Sequence, residues 1–178
     1  MDDEQFRAAL DPKTRVLRPF ALVPPAPAYV VFSQGRTVNF PIEALRMQAT
    51  RFFGCEIGAT VDKIVSSPPD VDATQLLVRE KDTATETRLV FGQHATADLV
   101  ASVAEAETRS RTFGMALLAA RCPTLWFVEC TQPDDRAALI LAAVLASVGL
   151  GPILTADRQQ AIGVKTARQW LADGIPAR

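Results

Sequence analysis

Residues 124–157, TLWFVECTQPDDRAALILAAVLASVGLGPILTAD, decide how this chain folds. Leu125–Val128 is short, apolar and rich in aromatic and β-branched members, the pattern of a strand buried on both faces. Thr131, Pro133, Asp134 and Asp135 follow as a helix start: a capping hydroxyl, a proline in the first turn, and acids that complement the helix dipole. From Ala137 to Val148 no residue is charged, so this helix must be covered on more than one side. Gly149 and Gly151 stop it, Pro152 forbids its continuation, and Ile153–Ala156 returns as a strand. The stretch therefore reads as a helical crossover between two strands that can run parallel.

Upstream, Tyr29–Ser33 and Arg36–Phe40 alternate around Gln34-Gly35, a hairpin signal. Pro41 opens a helix whose apolar positions Ile42, Leu45, Ala49, Phe52 and Phe53 recur at helical spacing, and Gly54 is its C-cap. Cys55–Ser66 fits a bent strand. A second hairpin pairs Thr74–Glu80 with Thr87–Phe91 across a polar loop, Lys81–Glu86. Thr96 caps a helix over 97–121, in which Glu105–Arg109 and Glu107–Arg111 stand four apart as ion pairs and Phe113–Ala120 is assigned to the core. Gly114 inside it marks a close backbone approach or a break. Downstream, Ala161–Val164 reads as a brief strand, and Thr166 caps a last helix carrying Trp170 and Leu171.

The fold class expected is α/β (mixed α+β): a mixed sheet from two antiparallel β-hairpins plus a βαβ crossover, covered by helices 41–53, 97–121 and 133–148. The 178 residues form one globular domain, enough to bury roughly 70% of the surface an unfolded chain exposes. Within it, 1–27 is a short helix and a proline-rich arm, 28–92 is hairpin, helix, hairpin, and 93–178 is helix, strand, helix, strand, helix. The arm carries Val16, Leu17, Phe20, Leu22 and Val23 between prolines, so it is read as extended and strapped across its own body or a neighbour's.

Composition excludes several functions. A net charge of −1, with both signs interspersed, leaves no electrostatic footprint for nucleic acid. The uncharged run Ala137–Leu154 approaches a membrane span, but its glycines and Pro152 cut the usable helix to about twelve residues against the ~20 needed, so a membrane role is not expected. The acidic start Met1-Asp2-Asp3-Glu4 is the opposite of a secretory leader, and Cys55, Cys122 and Cys130 lack metal-type spacing, as suits a reducing cytoplasm. The arginine- and alanine-rich composition is of the kind found in high-GC bacteria.

One position could carry chemistry. Glu129, Cys130 and Thr131 lie where the central strand ends, the side on which ligands gather in sheets with helical crossovers. A thiol near a helix N-terminus gains acidity, and the single histidine, His94, is the only imidazole that could serve it as base. Against that pair stands the simpler reading of a capped loop, a buried thiol and a solvated histidine. Neither a metal site nor a cofactor is expected. Gly149-Leu150-Gly151 follows its helix, whereas a phosphate loop must precede one. With no clustered acid, base or ligand set, the reading favoured is a non-catalytic interaction or regulatory module that self-associates or binds a protein partner through its arm. The alternative is a small-molecule-binding protein or enzyme with a thiol site at Cys130.

Overall fold

A computed structural model describes residues 27–35, 42–59, 74–80, 83–93, 97–132 and 135–175. Their elements are, in chain order, β1 (Ala28–Ser33), α1 (Ile42–Gln48), β2 (Glu56–Ala59), β3 (Thr74–Glu80), β4 (Thr83–Gln93), α2 (Ala97–Ser110), α3 (Met115–Ala119), β5 (Thr124–Glu129), α4 (Arg136–Gly149), β6 (Ile153–Leu154), β7 (Ala161–Ile162) and α5 (Val164–Asp173). The mixed α+β class is as the sequence implies. The N-terminal arm and Arg36–Phe40 lie outside the described residues.

Seven strands form one sheet in the order β2-β3-β4-β5-β1-β6-β7. All described pairings are antiparallel. Because β1 runs against both β5 and β6, those two are parallel to each other with β1 between them. The crossover thus joins parallel strands, but it skips one position in the sheet. By the same logic β3, β5 and β6 all end at one edge of the sheet, which β1 and β4 enter.

Every residue of β1 is buried, and its alternation assigns the two faces. Tyr29 and Val31 join Val128, Ile153, Ile162, Leu76 and Val78 under α1, α4 and α5. Val30 and Phe32 join Leu125, Phe127, Leu154 and Ala161 under α2 and α3. Helix α4 supplies most of the first layer, with every residue from Ala138 to Ala146 buried. It packs on β1 and against α1 and α5, so its own chain covers its outer side. An all-round apolar helix needs two covered sides, and the fold provides both.

The ends of α4 correct the reading of its caps. Its start is at Arg136, and the N-cap is Asp135, whose carboxylate accepts from Ala138 N at 3.0 Å. Thr131 instead serves that cap, since its backbone N–H and hydroxyl donate to the other carboxylate oxygen at 2.9 and 2.8 Å. At the far end the left-handed residue is Leu150, φ 54°, not a glycine. Gly149 and Gly151 are there for space. A Cβ on Gly151 would lie 1.9 Å from the Phe32 carbonyl oxygen, and one on Gly149 would lie 2.8 Å from Ser33 Oγ. Gln34 N–H donates to Gly149 O at 2.8 Å and Phe32 N–H to Pro152 O at 3.0 Å, locking this corner to β1.

Other boundaries move too. The second hairpin is tighter than read: Glu80 pairs with Thr83, so β4 begins before Thr87. Helix 97–121 breaks into α2 and α3 at Gly114, φ 87°. Glu105 does pair with Arg109 at 3.6 Å, but Glu107 turns its carboxylate to Met115 N and Ala116 N at 3.3 and 2.8 Å, capping α3. Residues 113–120 are therefore not core throughout: Phe113 is 90% exposed and Leu117 62%. Helix α1 continues as a π-helical turn, Ala49–Phe53, closed by Gly54 in the left-handed region as expected. The brief strand at Ala161 is present, whereas the N-cap of α5 is Gly163 and not Thr166.

Candidate functional site

The end of β5 carries the three residues singled out in sequence. Glu129 is half-buried and faces Ala28 in register. The Cys130 N–H donates to Pro27 O at 2.8 Å, extending the β5–β1 ladder by one bond, and its thiol is buried. Thr131 is exposed and committed to Asp135 through both its donors. Asp135, 4% exposed, is the pivot of this corner, because it holds the loop on one side and the first turn of α4 on the other.

A residue that sequence reading passed over joins them. Arg158 lies in the β6–β7 turn with φ 61°, and its Nη1 is buried without a hydrogen-bond partner among the described residues. Burial pushes its guanidinium below the ordinary arginine value, and the nearby Cys130 and Asp157 oppose that shift. The turn is tightly built. Thr155 Oγ1 donates to Asp157 Oδ1 at 2.6 Å, Gln160 N–H donates to Thr155 Oγ1 at 3.0 Å, and Arg109 Nη2 reaches the Arg158 carbonyl at 3.2 Å. Those bonds close a strand-to-strand turn where Asp157 and Gln160 resemble a helix capping box in sequence. The only residue-level signal for Arg158 is a long cation in a two-strand connection, which is not distinctive.

Placement of the proposed base is constrained from one side. His94 itself lies outside the described residues. Its neighbour Gln93 pairs with Thr124, the first residue of β5, while Cys130 follows the last. Among the described residues no group of three His, Cys, Asp or Glu side chains could hold a metal ion. Burial raises the other two thiols, Cys55 and Cys122, each to about 11, so both are protonated at neutral pH.

At the same end of the sheet the structure opens a cleft of about 250 Å³ that the sequence did not suggest. Phe53, Ile140 and Leu171 form its apolar floor; Glu80, Arg136 and Arg168 stand at its rim beside Phe52. Arg136 is held by Glu80 through Nε at 2.8 Å and Nη2 at 2.5 Å, and its Nη1 donates to Leu171 O at 2.6 Å near the last turn of α5. Phe52 has two cations near its ring, Arg51 at 5.1 Å and Arg168 at 5.6 Å from the centroid. A second cleft, about 360 Å³, runs beside β2, but its charges are engaged. Arg46 bonds to Ile57 O at 3.1 Å and to Glu43 at 2.9 Å, and Arg79 stands 3.6 Å from Glu56. The Arg46 bond thus occupies a carbonyl of β2, the strand at one end of the described sheet.

The chain matches no protein-family model, no curated protein and no solved structure. Among the described residues no helix is long and apolar enough to cross a membrane.

Proposed function

We propose that this chain is a non-catalytic protein-interaction module that associates with a second copy of itself. The observation that supports this reading is the knuckle between α2 and α3, where Phe113 and Leu117 stand 90% and 62% exposed. The Glu107 carboxylate on the α3 N–H groups fixes that knuckle in place, so the two side chains are presented on a held turn and not on a loose end. A small apolar patch of this kind can bury itself against its own copy across a twofold axis. The apolar N-terminal arm is a further contact element in this reading.

Light scattering on the eluting peak of a sizing column tests it. The double variant Phe113→Ser, Leu117→Ser should run as a single chain of 19.3 kDa where the native protein runs heavier, with an unchanged melting temperature. Equal masses for the two proteins would remove the proposal.

A second reading is a thiol site at Cys130, supported by the electrostatic interaction between that thiol and the half-buried Arg158 guanidinium. Cys130 would then react with iodoacetamide in the folded protein ahead of Cys55 and Cys122, and Arg158→Met would slow it. Labelling of all three thiols only on unfolding would end this reading.

A further inference from the structure

The cleft beside Phe52 has three features that together select a ligand. First, Arg51 and Arg168 both approach the Phe52 ring, and neither has an acidic partner among the described residues. A guanidinium whose Cζ lies 5.1 or 5.6 Å from an aromatic centroid still has N–H groups to offer, and they match a carboxylate in two-point fashion. Second, the other charges at the rim cancel, because Arg136 is bound by Glu80. The surplus charge is therefore positive and sits on the two arginines that flank Phe52. Third, the lining is apolar: Phe53 and Leu171 are half-buried with Ile140 buried behind them, and Phe52 itself is 37% exposed.

Size decides between ligand classes. At about 250 Å³ the cleft is below the roughly 300–1,000 Å³ of pockets that enclose a drug-sized molecule, so it fits one large apolar side chain. We infer that this cleft binds an acidic peptide segment, taking one aromatic or leucine side chain against Phe53 and Leu171 while carboxylates on either side engage Arg51 and Arg168. The inference rests on the interaction reading for the class of partner, but it uses a different surface from the Phe113 knuckle.

Isothermal titration of the full chain with a ten-residue peptide tests it, the peptide holding a Leu-Phe pair between two Asp-Glu clusters. Binding should weaken as salt is raised, and an amide version with Asn and Gln in place of the acids should bind about tenfold more weakly or worse. Arg51→Glu with Arg168→Glu should cause a similar loss, and a Lys/Arg version of the peptide should bind that variant better than it binds the native chain. Phe52→Ala should weaken both pairings. The charge swap guards against a folding defect, because a merely damaged protein would not gain affinity for the basic peptide. Absence of binding, or binding unaffected by peptide charge, would overturn the inference. If the Phe113/Leu117 variant becomes a single chain while peptide binding is absent, this inference fails and the interaction reading stands; the opposite pattern separates them the other way.

Discussion

Gly151 sits where β1 passes so close that a Cβ would lie 1.9 Å from the Phe32 carbonyl oxygen. The tripeptide Gly149-Leu150-Gly151 signals a helix stop, which is right, but the left-handed residue is Leu150 and the glycines are needed because β1 passes against them. Gly151→Ala should therefore cost about 3 kcal/mol in urea denaturation, since its Cβ would meet backbone that cannot step aside. Gly149→Ala should cost somewhat less, about 2 kcal/mol, because the Ser33 hydroxyl it meets can rotate away but the Ser33 Cβ at 2.9 Å cannot. The thiols give a second residue-scale prediction. Burial lifts Cys55 and Cys122 from an ordinary value near 9 to about 11. Between those values the folded chain keeps protons that the unfolded chain releases, so stability falls as pH rises through that window. Melting temperature should drop from about pH 8 to about pH 10.5, and less so in Cys122→Ser. An equal drop in both proteins would contradict the assignment to Cys122.

At the scale of elements, what was legible follows from local chemistry. Strand β5, helix α4 and the second hairpin stand out because their patterns are strong and local: an apolar run, an uncharged helix with breakers behind it, and alternation on both sides of a polar turn. Cap identity was less legible, because Thr131 and Asp135 are both good capping residues and only the path of the loop decides between them. The structure makes Asp135 the shared acceptor, so Asp135→Ala should cost about 2 kcal/mol by thermal denaturation, at the upper end for a cap. Thr131→Val should cost less, since Asp135 keeps its bond to Ala138 N. A larger loss at Thr131 than at Asp135 would reverse that order. The break at Gly114 had a signal, but the exposure of Phe113 did not: helical spacing through 113–120 implies burial only if the helix is continuous.

Across the whole molecule, the least legible feature was sheet order. Insertion of β1 between β5 and β6 joins residues some hundred positions apart, and no local pattern encodes a long-range neighbour. The same limit hid the Phe52 cleft, which is assembled from the α1 end, the tip of β3, and helices α4 and α5. It also hid the electrostatic interaction of Cys130 with Arg158, whereas Glu129, Cys130 and Thr131 were placeable because one strand end carries all three. Once the order is known, a functional consequence follows. Helix α4, the most apolar element, is covered by its own chain except where it backs the Phe52 cleft, so it offers no broad apolar surface to a partner. The self-association proposed here would fall to the exposed side chains, with Phe113 and Leu117 at the knuckle. The most direct test is backbone hydrogen–deuterium exchange followed while the protein is concentrated from about 2 to about 200 µM, a range over which a weak homodimer fills. Self-association through the knuckle predicts that peptides covering 111–120 become slower to exchange with concentration, while those from α4 stay uniformly slow. Exchange at 111–120 that is independent of concentration, or protection that grows elsewhere instead, would contradict the account.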